Sequence, residues 1–414
     1  MAGTRQVPRT GEIAPEDGPA LGRILAPDLA RGAMLLLIAL ANVPIYLTGH
    51  GQSTVGAHPL GGSVADRIVQ ALTLVSVDQR VYPMFAVLVG YGITMSDRAA
   101  RAKGVTVRAS SQRLCLRNLA LIGFGGAHAA LLWGGDILGV YGLFGLLLVL
   151  LFLRRSDVVV VAAIGVGAVI LFLFAVCSLA LGVTTLDAPG HSGSGAGSGS
   201  LGESVATGDA LAAVGLRLTA WAELSFTQGL LSLAVPVAML LGLFAARHRI
   251  LEEPHRHARA VRAVAVVGVL TGWAGGLPIA LVHVGALPDL QGLTWALSAP
   301  HSVTGLACGV GYVATFALLG DRLQNRPRGR FTTGVTAVGK RSLSCYLAQS
   351  LICAPILAGW GLGLATKLGS TTAAIYALGA WLLTFAWAAR LERHGRPGPA
   401  ESLLRRLSYP RPRS

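Results

Sequence analysis

Between residues 113 and 141 the chain reads RLCLRNLALIGFGGAHAALLWGGDILGVY, which sets His128 and Asp136 among otherwise apolar runs. An ionisable side chain in a membrane-length segment is expensive to bury, so by default it marks a site. Imidazole titrates near pH ~6.5, so at neutral pH it can take up a proton as a general base or pass one on. A carboxylate on its far nitrogen would orient it, which is the base-plus-orienter logic of acyl transfer. The structural alternatives are as concrete: His128 as a neutral bridge between helices, and Asp136 as a helix N-cap after the Gly134-Gly135 turn.

Other polar groups compete for roles. His50 and His58 lie in a polar stretch over 49–80 that reads as an outer loop, where a histidine is either solvated or a rival base at the same mouth. Asp78 and Arg80 are placed to form an ion pair at the entrance of the following helix. Asn42, Trp133, Tyr346 and Gln349 offer hydrogen-bonding groups inside or beside apolar runs, as substrate contacts or as interhelical bonds. Arg113 and Arg117 close a basic stretch that begins at Arg98; it either sets membrane orientation or holds the phosphates of an anionic ligand such as acyl-CoA. The five cysteines lack metal-ligand spacing and read as small buried hydrophobes, so no metal site is expected. Phosphate-binding glycine loops, HExxH and GxSxG are absent from the sequence.

The elements that must position these groups are membrane helices. Hydrophobic residues make up 53% of the 414 and charged ones 13%, with mean hydropathy +0.61, against about a quarter charged in soluble domains. Uncharged runs of about 17–25 residues recur, long enough to cross a hydrocarbon core as helices. The fold class is therefore all-α, a polytopic bundle of ten expected spans at about 32–48, 81–95, 116–133, 137–153, 158–183, 224–246, 263–284, 298–320, 342–364 and 371–389. With the amino terminus assigned to the cytoplasm, 30 of the 34 Lys and Arg fall on the inner side, a positive-inside pattern that puts both termini on the cytoplasmic side of the cell membrane. That placement also argues against nucleic acid as the partner of a +15 chain; the lipid bilayer is the expected one.

Residues 1–22 read as a disordered tail, 23–183 as a five-span half, 184–205 as a Gly/Ser-rich outer linker, 206–390 as a second five-span half and 391–414 as a basic tail with a short amphipathic helix. A weakly amphipathic surface helix is expected near 209–223.

Several pieces together resemble the YeiB-like family of bacterial membrane proteins, whose carboxy-terminal half is a domain of unknown function. They are Asp28-Leu-Ala-Arg31-Gly32 leading to Asn42, VDQRVYPMFAVLVGYG from Val77, the His128 to Tyr141 stretch, GKRSLSCYLAQS from Gly339 and GPAESLLRRLSY from Gly398. The resemblance implies an involvement in transport. It also implies similarity to transmembrane acyltransferases that carry acyl groups from cytoplasmic acyl-CoA to sugars outside, some with their catalytic histidine in the first outer loop, where His58 stands here.

Two functions follow as expectations. One is acyl transfer, with acyl-CoA as donor and no permanently bound cofactor, His128 or His58 as base, Asp136 as orienter and a small-molecule or glycan acceptor with a hydroxyl or amine. The other is a transporter or exporter whose path is lined by His128 and Asp136. A scaffold without turnover would use neither group chemically.

Overall fold

A computed structural model describes residues 24–48, 51, 53, 57–184, 199–228 and 233–408, apart from the side chains of 289 and 291. Among these there is no strand. The helices are α1 (Leu25–Asn42), α2 (Val64–Ser76), α3 (Val81–Ala102), α4 (Val107–Leu131), α5 (Leu138–Leu147, prolonged by a π turn to Phe152), α6 (Asp157–Thr184), α7 (Gly199–Ala206), α8 (Ala210–Ala222), α9 (Ala234–Arg247), α10 (Ala258–His283), α11 (Thr294–Gln324), α12 (Arg330–Lys340), α13 (Ser342–Leu357), α14 (Ser370–Arg393) and α15 (Pro399–Ser408). Seven helical stretches are long and apolar enough to cross a membrane, and three shorter apolar helices, α5 with its π turn, α9 and α13, lie among them.

Contacts gather the helix ends into two groups. At one end the Leu25 amide donates to Gln324, Arg98 reaches the Ala246 carbonyl, Arg154 pairs with Asp97, and Arg341 reaches Glu392 and the Arg396 carbonyl. At the other end the Thr371 amide donates to Asp66, Gln70 to Ser370, and Arg217 to the carbonyls of Ala129 and Ala130. The first group holds most of the basic residues and the second holds His58, His128 and Asp136.

The two halves of the chain interlock. α1 packs on α12, α2 on α10, and α3 along α9. The last pair is unusually close: a Cβ at Gly90 would run into the Met239 carbonyl, and one at Gly242 into the Val87 carbonyl. Glycine alone permits that approach. α6 takes the opposite role, since Val158, Val166, Phe172, Leu173 and Phe174 all face outward from it. The apolar composition of α6 leaves lipid as the medium that suits this face. Cys177 lies exposed on the same helix, so it is no buried hydrophobe, whereas Cys308 and Cys345 are buried.

The described residues of the stretch 49–80 do not form a polar loop throughout, since 64–76 are helical. Ser63 and Asp66 form a capping box that starts α2, and α2 and α3 follow one another with a short interruption in a stretch, Val64–Ala102, long and apolar enough to cross a membrane. The interruption falls at Val77–Arg80, where Gln79 takes a left-handed φ of 62°. Its depth is fixed by neighbours: Gln79 abuts Gly305 and Leu74 abuts Gly276, both well inside their helices.

α7 begins at Gly199, within the stretch read as linker, and α8 follows with Asp209 as its N-cap. The amino-terminal 23 residues, His50, residues 185–198 and the last six lie outside the described residues.

Candidate functional site

α4 ends at Leu131 because the Gly134-Gly135 pair breaks the run, and the chain turns back into α5. The turn brings Asp136 against the last turn of α4, where its Oδ2 lies 2.7 Å from His128 Nδ1. The other carboxylate oxygen accepts the Gly139 amide at 3.0 Å. Asp136 therefore caps α5 and orients the histidine at once, so the two readings of this residue are not exclusive. A carboxylate only accepts, so the imidazole donates from Nδ1, and Nε2 is left buried without a partner among the described residues. His128 is 4% exposed and Asp136 0%. Gly125 permits this fit, since a Cβ there would collide with Asp136 Oδ1.

Tyr346 of α13 lies edge-on to the His128 ring, with centroids 5.2 Å apart. It also lines a cavity of about 30 Å³ together with Asn42, Tyr46, Trp133, Gln349, Ser350 and Cys353. That is room for one or two waters. The four residues singled out as contacts from the sequence thus share one small space beside the dyad. Within it Trp133 stacks on Tyr46 at 4.8 Å, and Gln349 also reaches Thr384 at 3.5 Å.

A second dyad stands in the interrupted crossing. His58 Nε2 lies 2.8 Å from Asp78 Oδ2, with the residues 1% and 7% exposed. His58 is therefore buried and paired, not solvated. Nor do Asp78 and Arg80 pair through their charged ends: Arg80, fully buried, donates to the main-chain carbonyls of Asp78 and Gly272 and lies 3.0 Å from the His301 ring. His283 packs edge-on to His58 at 5.7 Å and reaches Gln70 at 3.2 Å. Gln70, His283 and His301 carried no such reading from the sequence, which had named only His58, Asp78 and Arg80 of this cluster. The signal was present, because His283 and His301 fall in apolar runs just as His128 does.

At the basic end a cleft of about 840 Å³ is lined by Arg113, Arg117, Lys340, Arg341, Arg396 and Arg405, with Glu392 and Glu401 as its acids. Glu392 takes Lys340 and Arg341. Glu401 leaves α15 to accept the Leu343 and Ser344 amides at 2.9 and 3.1 Å and the Ser344 hydroxyl, so it caps α13. It does not pair along its own helix with Arg405. Nearby, the Asp97 carboxylate holds the Arg154 guanidinium above its usual pKa. The cleft and the first dyad share one helix, since α4 carries Arg113, Arg117 and His128. From Arg117 to His128 the helix rises roughly 16 Å. Among the described residues no cluster of His, Cys, Asp and Glu could hold a metal ion.

Residues 245–411 match the family described as "Protein of unknown function (DUF418)". The chain is 24% identical over 399 residues to the uncharacterized protein YeiB of Escherichia coli (strain K12), covering 92% of this chain and 95% of that one. It is 25% identical over 340 residues to the uncharacterized protein YxaH of Bacillus subtilis (strain 168), covering 79% and 78%. The match to DUF418 takes in α10 to α15, hence Tyr346 and most of the cleft, while both dyads lie amino-terminal to it. The chain is thus built of apolar helices, is similar to YeiB over most of its length and matches DUF418 over residues 245–411.

Proposed function

We propose that this protein is an acyltransferase of the cell membrane, taking an acyl group from acyl-CoA on the cytoplasmic side and giving it to a hydroxyl or amine on the other. The observation that carries the reading is the buried His128–Asp136 pair, whose Nε2 has no partner among the described residues, on a helix whose other end lines the cation-rich cleft. Guanidinium groups suit the phosphates of the donor, and the volume is that of a ligand pocket. His128 Nε2 takes the proton from the acceptor as its oxygen or nitrogen attacks the thioester carbonyl. The carbon–sulfur bond then breaks, and the proton passes to the leaving thiolate, which departs as CoA. Asp136 stabilises the imidazolium that forms in between.

Transport is the second reading, and the interrupted α2–α3 crossing favours it. Helices broken inside a membrane commonly line substrate and ion sites, and here the break holds His58, Asp78 and Arg80.

The test is release of free CoA from acetyl-CoA by purified protein with glucosamine as an acceptor offering both an amine and hydroxyls. Wild type releases CoA, and His128→Ala, still folded, does not. Loss with His58→Ala instead moves the base to the second dyad. Folded protein that neither binds nor consumes acetyl-CoA ends the acyltransferase reading, and counterflow in proteoliposomes then tests transport.

A further inference from the structure

α8 inserts Arg217 into the dyad end of the bundle, where it is 3% exposed. Its Nε and Nη2 donate to the Ala129 and Ala130 carbonyls, at 3.1 and 2.7 Å, in the last turn of the helix that carries His128. Its guanidinium lies over the Trp360 ring, 4.9 Å from the centroid. Those contacts leave the charge undercompensated. A helix C-terminus supplies about half an elementary charge and an aromatic face less. Among the described residues no carboxylate pairs with Arg217, and burial pushes its pKa down. A buried cation without a counter-charge is costly to a fold unless something else supplies one.

The unused hydrogen-bonding capacity sits in the same neighbourhood. Arg217 Nη1 is buried with no partner, and so are the indole nitrogens of Trp133 and Trp360. Each is a donor that cannot accept. Trp133 stacks on Tyr46 and lines the small cavity beside the dyad, while Gly134 rests on the Arg217 backbone. A buried cation with one unpartnered nitrogen, lying over one indole and docked on the loop that carries another, each with an unused N–H, is the complement of a small oxyanion.

We infer that Arg217, Trp133 and Trp360 form a binding site for an oxyanion, a carboxylate or phosphate group carried by the molecule that receives the acyl group. The inference rests on the proposed function for the identity of that molecule, but the site itself can be tested without turnover. The oxyanion takes Arg217 Nη1 in a charge-assisted bond and the indole N–H groups as neutral donors. Held there, the acceptor is anchored beside the last turn of α4, next to His128.

The test is equilibrium binding by calorimetry to full-length protein in neutral detergent at fixed ionic strength. The probes are glycerol 3-phosphate and propionate, with glycerol and propanol as their uncharged controls. The expected result is saturable binding of at least one anion and none of its control, weakened at least about tenfold in Arg217→Gln and several-fold in Trp360→Phe, which keeps the ring and deletes the donor. Which anion binds tells the phosphate source from the carboxylate. Should Arg217→Gln fail to fold, Trp360→Phe and Trp133→Phe carry the test. His128→Ala binds the anion as wild type does, so failed acyl transfer with intact anion binding removes only the proposed reaction. The inference is overturned if neither anion binds folded wild-type protein, if the uncharged controls bind equally, or if the donor deletions leave the affinity unchanged.

Discussion

Replacing Asp136 by Asn separates its two tasks. The Asn side-chain oxygen can still accept the Gly139 amide, now made at 3.0 Å, so the start of α5 keeps its cap. The other arm becomes a donor facing His128 Nδ1, where a carboxylate accepted at 2.7 Å. A donor cannot satisfy a donor, so the imidazole moves its proton to Nε2 and loses the lone pair that would receive the acceptor's proton. The charge-assisted bond is worth about 1.5–3 kcal/mol of stability. The catalytic cost is larger: an imidazole held in the wrong tautomer typically loses about 10⁴ in kcat, roughly 5 kcal/mol of barrier. Asp136→Ala removes the cap as well, for about 1 kcal/mol more in stability. CoA release and thermal unfolding, measured on the same preparations, read both quantities. Asp136→Asn should unfold a little earlier than wild type and be nearly inactive, while Asp136→Ala should be less stable and no less inactive. Wild-type turnover in a folded Asp136→Asn protein would refute the orienting role and leave Asp136 a helix cap.

Further consequences are smaller. Arg113→Gln and Arg117→Gln, which line the cleft, should raise KM for acetyl-CoA several-fold with kcat nearly unchanged, and the effect should shrink in high salt. Gly90→Ala drives a methyl into the Met239 carbonyl and should cost about 1–3 kcal/mol in thermal unfolding. His58→Ala leaves the Asp78 carboxylate buried without its partner, so its unfolding free energy should fall by about 3 kcal/mol. Glu401→Gln removes the charge that caps α13 and should speed proteolysis near residue 397 while leaving the rest of the bundle intact.

Periodicity and hydropathy made the apolar helices legible, and the Gly134-Gly135-Asp136 turn announced where α4 ends and α5 begins. Local spacing sufficed there, because His128 and Asp136 meet across one short turn. α2 was not legible in the same way. Its exposed Val64, Ile68 and Leu72 are interleaved with Asp66, Arg67 and Gln70, so its mean composition reads as loop while its face-by-face pattern is that of a half-buried helix. Asp78 was visible, but its partner was assigned to adjacent Arg80, because nothing in the letters shows that the chain folds His58 back over the break. Arg217 carried no local signal within the surface helix expected near 209–223, and only the docking of α8 on Gly134 reveals that it is buried. Glu401 likewise found its partners on α13, not on its own helix.

The proposed reaction is sided, with donor and acceptor meeting the protein at opposite ends. Proteoliposomes with the protein sorted to one orientation, given acetyl-CoA only on the side of the basic cleft and glucosamine only on the other, test it directly. Free CoA is expected on the first side and acetylated glucosamine on the second, both abolished by His128→Ala. Consumption of acetyl-CoA supplied only on the dyad side, or movement of unmodified glucosamine with no thiol released, would contradict it.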